Sequence, residues 1–254
     1  MRTVVLIPFR SDGGRRDQLL AWVTARWQLV HPDFEVFVGS HDDGGPFNRS
    51  AALNVAAAEA GDWDLAVLAD GDSFVGGEQL ASALDVAART GKITFAFDRF
   101  AYLNRDMSDR IMSGFNGNWW PGVQFTMMNT CSSQVVVRRD LWDAARGFDE
   151  GFVGWGGEDV AFSLACHALA GGGERVHGDL WHLFHDQAPH VADDVWPARM
   201  ELYKHCDGDP AKMRELLDRL GVNASKAPAK PRKRAAKKAA GGVVASPGPT
   251  LVGE

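Results

Sequence analysis

Four apolar runs of strand length recur between longer segments of helical character, and this alternation restricts the chain to few folds. The runs are TVVLIPF (3–9), FEVFVGS (34–40), DLAVLAD (64–70) and KITFAFD (92–98). Between them lie RRDQLLAWVTARWQLV (15–30), NRSAALNVAAAEAG (48–61) and GEQLASALDVAART (77–90), which suit helices. Such alternation predicts an α/β fold in which a mostly parallel sheet is covered by helices on both faces. Ligands then bind outside the carboxyl ends of the strands. SQVVVRR (133–139) reads as another strand, and EDVAFSLACHALAGG (158–172) carries apolar residues at 160, 161, 164, 165, 168 and 169, a helical spacing. NRDMSDRIMSGFNGNWWPG (104–122), Gly-rich and with adjacent tryptophans, reads as a long functional loop of lid type.

With 254 residues, 45% of them hydrophobic, the chain can bury one large core and a small appendage. The N-terminal apolar run stops at Pro8 and Arg10, too short for a signal peptide. No stretch approaches the ~18 apolar residues that a membrane span requires. Cys131, Cys166 and Cys206 are odd in number and widely spaced, which points to neither a disulfide framework nor a cysteine zinc site. A cytoplasmic location is expected.

The net charge of −6 conceals a split. Residues 223–254 hold Lys226, Lys230, Arg232, Lys233, Arg234, Lys237 and Lys238. Subtracting these seven from 27 basic residues, and Glu254 from 33 acidic ones, leaves 20 against 32 up to residue 222, a balance of −12. The expected organisation is a folded domain over 1–222 followed by a disordered basic Ala/Lys/Pro-rich tail over 223–254. That tail reads either as a solubilising extension or as a contact for nucleic acid or another polyanion.

The candidate chemistry gathers at the ends of these elements. Asp70 and Asp72, separated by Gly71, stand where a buried strand runs out. Two carboxylates so placed suit a hard cation such as Mg²⁺ or Mn²⁺ shared with substrate phosphates, or else a turn that caps the next helix. Arg10 ends the first strand and Arg49 opens the second helix, so both reach the ligand edge, as phosphate partners or as surface charge. A cation at a helix start is disfavoured by the macrodipole, which an anion would offset. GDLWHLFHDQAPH (178–190) adds His182, His185 and His190 as imidazole candidates, or as packed aromatics. In GFDEGFVGWGGEDV (147–160), four glycines between 151 and 157 surround Trp155, and Glu158 and Asp159 open a helix.

Taken together, IPFR (7–10), PFNRSAALN (46–54), DGD (70–72) and GFDEGFVGWGGEDV (147–160) resemble, in order and spacing, the β-1,4-galactosyltransferases. The last phrase is similar also in polypeptide N-acetylgalactosaminyltransferases and bacterial chondroitin polymerases. The resemblance spans roughly residues 3–190. It implies a glycosyltransferase A fold, a Rossmann-like domain that binds a UDP-sugar donor and Mn²⁺ or Mg²⁺. It further implies that Pro8, Phe9, Arg10, Phe47, Arg49, Asp70 and Gly71 bind the nucleotide. Asp72 would ligate the cation together with His182 or, failing that, His185. Trp155, Gly156, Gly157 and Glu158 would bind the acceptor, and Asp159 would be the catalytic base. One departure stands out. Where a second glycine-rich phrase is expected, the chain reads NTCSSQVVV (129–137), which bears on the donor-sugar pocket. A signal anchor and stem are absent, so the resemblance implies a bacterial or phage type acting in the cytoplasm.

The physical reading of the motif runs parallel. Glycines let backbone approach a sugar, an indole face stacks on one, and the helix dipole favours an ionised Asp159 that takes a hydroxyl proton. Glu158 and Asp159 read otherwise as plain helix capping. The expected activity is metal-dependent transfer of a hexose or N-acetylhexosamine to a hydroxyl of a glycan, protein or nucleic acid, and the resemblance to the galactosyltransferases implies that it is inverting. A glycoside hydrolase with paired carboxylates, or an inactive sugar- or nucleic-acid-binding module, are the rivals.

Overall fold

The computed structural model describes residues 1–154, 156–186 and 195–223. In chain order they form β1 (Thr3–Pro8), α1 (Arg15–Val30), β2 (Glu35–Gly39), α2 (Arg49–Ala60), β3 (Leu65–Leu68) and β4 (Ser73–Phe74). Next come α3 (Gly77–Thr90), β5 (Ile93–Phe95), β6 (Arg99–Leu103), α4 (Arg105–Met112), a 3₁₀ turn (Trp120–Gly122), β7 (Val123–Met128) and β8 (Val135–Arg138). The remainder is α5 (Arg139–Ala145), α6 (Glu158–Ala170), β9 (Gly173–Arg175), β10 (Asp179–His182), α7 (Val195–Lys204) and α8 (Pro210–Leu220).

Six strands make the main sheet, in the order β2-β1-β3-β8-β5-β9. β1 pairs in parallel with both β2 and β3, and β5 with β9, while β8 runs against its neighbours β3 and β5. The expected mostly parallel sheet is therefore present, with one reversed strand. Alternation along the strands divides two cores. Val4, Leu6, Ala66, Leu68 and Val137 face α2, α5, α6 and α8. Val5, Ile7, Leu65, Val67 and Val136 face α1 and α3 on the other side. Burial on both faces explains why these strands read as unbroken apolar runs. α2 lies so close to the sheet that a Cβ on Gly39 would stand 2.0 Å from the Ala52 carbonyl oxygen.

A second sheet, β4-β10-β6-β7, covers part of the α1 side. Segment 104–122, expected as a loop, contains α4 and the 3₁₀ turn. Asn104 caps α4 by accepting from Met107 N at 2.8 Å, and Met107 and Ile111, one turn apart, are buried. Trp119 packs edge-on against Phe74 and Trp181. Cys131, Cys166 and Cys206 are free. Among the described residues, no helix is long and apolar enough to cross a membrane.

Candidate active site

β3 ends at Leu68, and the chain turns through Asp70, Gly71 and Asp72 into β4 at the carboxyl edge of the sheet. Gly71 is tightly held, since a Cβ there would stand 3.1 Å from Leu20 Cδ1 and 3.7 Å from Phe9 Cδ2. Antiparallel pairing of β4 with β10 places Ser73 opposite His182, and Leu183 N donates to the Asp72 carbonyl oxygen at 2.8 Å. This register sets His182 Nε2 at 3.6 Å from Asp72 Oδ1 and His185 Nε2 at 3.1 Å from Asp72 Oδ2. One ligand atom from each of the three residues lies within 4.8 Å of the others.

The donor set fits a divalent cation. Asp72 Oδ1 is buried without a hydrogen-bond partner among the described residues, and so is His182 Nδ1. A buried orphan oxygen beside two imidazoles is a costly arrangement until something positive meets it. Burial would raise the Asp72 carboxyl, but His182 and His185 hold it down at about 2. Burial lowers His182; it also pushes His185 down, but the Asp72 hydrogen bond and charge leave His185 raised. His182 and His185 both reach Asp72, so the choice between them does not arise in this geometry. Tyr102 packs against the His182 ring with centroids 4.4 Å apart and planes tilted by 36°.

Arg16, at the second position of α1, brings Nη2 to 3.3 Å from His185 Nδ1. Sequence reasoning missed it. The signal was there: Arg15 and Arg16 sit at a helix N-terminus, where the macrodipole disfavours cations, just as at Arg49.

Arg49 opens α2 behind the Asn48 cap and lies at the centre of a carboxylate cluster. Its Nη2 donates to Asp70 Oδ1 at 2.7 Å, and Nη1 stands 3.5 Å from Glu158 Oε1. Burial would lower the guanidinium, but Asp70, Asp159 and Glu158 outweigh it and raise it. The anion that offsets this cation is thus supplied by the chain itself. Nη1 still has no hydrogen-bond partner among the described residues. Glu158 is 7% exposed, and burial together with neighbouring Asp159 pushes it up to about 8 against the pull of Arg49.

α6 begins at Glu158 with Gly157 as its N-cap, at φ +93, and no side chain caps it. Simple capping therefore does not describe Glu158, whose carboxylate turns to Arg49. Of the motif glycines, Gly154 and Gly156 have positive φ and open space at the Cβ position among the described atoms. Gly157 instead meets Phe152 and Trp196 at 3.1 and 3.2 Å, and Gly151 would strike Arg199 at 2.3 Å. Two of the four glycines thus serve internal packing. Trp155 lies outside the described residues.

Pro8 is buried in β1, opposite Gly39 of β2. Arg10 follows it and donates to the Gly45 carbonyl oxygen at 2.7 Å, in the loop that carries Phe47. Between Asp70 and the motif lies NTCSSQ, where a glycine-rich phrase was expected. Its backbone still takes the left-handed form, with Asn129, Ser133 and Gln134 at φ 56, 61 and 48. Buried Ser133 accepts from Asp70 N at 3.0 Å and lies 2.6 Å from Ser73 Oγ, so a serine does local work that glycine cannot.

No protein-family model matches the chain, and neither does any curated protein sequence. Solved structures do match. The catalytic domain of Drosophila β1,4-galactosyltransferase 7, in complex with xylobiose, superposes with a TM-score of 0.51 at 18% identity over 78% of each chain. A mutant of that enzyme in complex with manganese, UDP-Gal and xylobiose gives the same score and identity, over 78% of this chain and 79% of that one. S. aureus TarS matches at 0.50 and 14% identity, over 89% of this chain and 44% of its own. At these identities the likeness is one of fold: the chain has the glycosyltransferase A fold that the sequence resemblance implied.

Proposed function

We propose that the protein is a metal-dependent, inverting glycosyltransferase that moves a hexose or N-acetylhexosamine from a UDP-sugar to an acceptor hydroxyl. The observation that carries this reading is the Asp72–His182–His185 cluster, with its orphaned carboxylate oxygen, at the sheet edge to which Asp70, Arg49 and Glu158 also converge. Mn²⁺ or Mg²⁺ held there by Asp72, His182 and His185 would offset charge on the diphosphate leaving group. Pro8, Phe9, Arg10 and Phe47 frame the nucleotide beside Asp70 and Gly71, and Arg16 adds a cation on the phosphate side. Arg49 keeps Asp70 and Glu158 in place and offers its unsatisfied Nη1 to the donor.

Gly156 and Gly157, together with Trp155 as the sequence resemblance implies, receive the acceptor. Asp159 takes the proton of the attacking hydroxyl as its oxygen bonds to the anomeric carbon, and the bond from that carbon to the diphosphate oxygen breaks. Glu158, held neutral near pH 7, donates a hydrogen bond and leaves the charged form to Asp159. The Drosophila enzyme with the same fold binds manganese, UDP-Gal and xylobiose, which supports a similar donor and a sugar acceptor here. The proposal includes residues 1–222 as the catalytic unit, a cytoplasmic site of action, and polyanion contact through the basic tail. The test is a screen of UDP-sugars for metal-dependent hydrolysis, repeated with glycan, protein and nucleic-acid acceptors. Hydrolysis or transfer that survives chelation, or none with any donor, would refute it.

A further inference from the structure

Asp149 is 5% exposed, yet its carboxylate accepts four hydrogen bonds. Arg199 Nε and Tyr203 Oη donate to Oδ2 at 2.6 and 2.8 Å, and Arg199 Nη2 and Gly151 N donate to Oδ1 at 2.7 and 2.9 Å. Each oxygen is saturated. Arg199 and Tyr203 are four residues apart on α7, and Trp196 precedes Arg199 by three, so all three share one helical face. That face lies along the motif loop. The Arg199 guanidinium fills the space beside Gly151, and Trp196 that beside Gly157. From the opposite side, Asn48 Nδ2 donates to the Glu150 carbonyl oxygen at 2.9 Å, and Asn54 Oδ1 accepts from Phe148 N at 2.9 Å.

The loop that ends in Glu158 and Asp159 is thus gripped between α2 and α7. A buried ion pair is a poor device for stability alone, since apolar residues of equal volume often do as well. A bidentate, fully saturated one fixes direction. We propose that Arg199, Asp149 and Tyr203 are positioning residues that hold the motif loop so that α6 presents Glu158 and Asp159 to the acceptor. Among the described residues, none of the three is hydrogen-bonded or ion-paired to Asp72, His182, His185, Arg49 or Asp70, so donor binding should not depend on them. This inference rests on the transferase reading given above.

The test compares Arg199→Lys, which keeps the charge but loses the planar fork, with Tyr203→Phe, which removes one hydrogen bond and little volume. Three quantities are read: UDP affinity with Mn²⁺ by calorimetry, transfer kinetics, and amide hydrogen exchange at residues 150–158. The expected result for Arg199→Lys is unchanged UDP affinity, kcat lowered at least about tenfold and faster exchange at 150–158, with β1 and β3 amides still protected. Misplacement by about 1 Å costs up to about a hundredfold. Tyr203→Phe should move in the same direction by less. A lowered thermal midpoint with unchanged kcat, or unchanged loop exchange in both variants, would overturn the proposal. If the wild type transfers nothing, the transferase reading fails by itself, and the exchange measurement still decides whether α7 holds the loop.

Discussion

Glu158 offers a perturbation whose size follows from its surroundings. In the folded protein its carboxyl is pushed up to about 8 from 4.5, by burial first and by Asp159 next. Between those two pH values the folded state keeps a proton that the unfolded chain has released. Folded protein binds more protons there, so stability falls as pH rises through the window. A shift of that size corresponds to roughly 5 kcal/mol in total, at about 1.4 kcal/mol per unit. Glu158→Gln is neutral throughout and should abolish this contribution while still donating a hydrogen bond. The assay is urea unfolding of both proteins from pH 5 to pH 9 in chelator. His182 and His185 titrate in both and cancel in the difference. The variant should gain on the wild type steadily as pH rises, by several kcal/mol by pH 9. Parallel stability curves over the whole range would refute the buried, proton-holding Glu158 on which its proposed role depends.

Four further outcomes are expected. Asp159→Asn keeps size but cannot take the acceptor's proton, so kcat for transfer should fall by about 10²–10⁴ with UDP affinity unchanged; steady-state kinetics beside calorimetry checks this. Ser133→Ala removes two buried hydrogen-bonding contacts and should cost about 1–3 kcal/mol in urea unfolding. Ser133→Gly loses the same hydroxyl but relieves the left-handed backbone at φ 61, so it should be more stable than Ser133→Ala by about 1 kcal/mol. Mn²⁺ affinity should weaken as pH falls, because His185, whose proton is held by Asp72, must release it to bind a cation; titration calorimetry at pH 6 and pH 8 reads it.

Much of the fold was legible because β1 and β3 are buried on both faces, α6 carries apolar residues at helical spacing, and α1, α2 and α3 are long segments between strand-length apolar runs. The second sheet was not. β4 has two residues, too few to show a pattern, and β7, VQFTMM, alternates apolar and polar residues over Val123–Met127 yet is exposed along nearly its whole length and directly follows the Gly-rich segment read as a loop. The reversal of β8 is equally silent in sequence, since VVVR is apolar whichever way it runs. α4 was hidden by its neighbours: the glycines and tryptophans of 114–122 drew attention from Met107 and Ile111. At the site, Asp72 with His182 and His185 came from the resemblance and meet in space. The pairing of Arg49 with Glu158 joins residues over a hundred positions apart, and no local pattern announces it. The same holds for Arg199 and Asp149: the glycines of the motif were read as room for a sugar, whereas the space beside Gly151 is filled by Arg199.

The central claim is that Asp72, His182 and His185 hold a cation that binds UDP. The direct measurement is the thermal midpoint with UDP at about 100 times its dissociation constant, in Mn²⁺ and in chelator. A ligand bound only by the folded state adds about 2.7 kcal/mol under that condition, a rise of roughly 5–10 °C for a domain of this size. The account predicts that rise with Mn²⁺, little of it in chelator, and none in Asp72→Ala, which should remain folded without ligand. Equal stabilisation by UDP with and without metal, or an undiminished rise in Asp72→Ala, would contradict it.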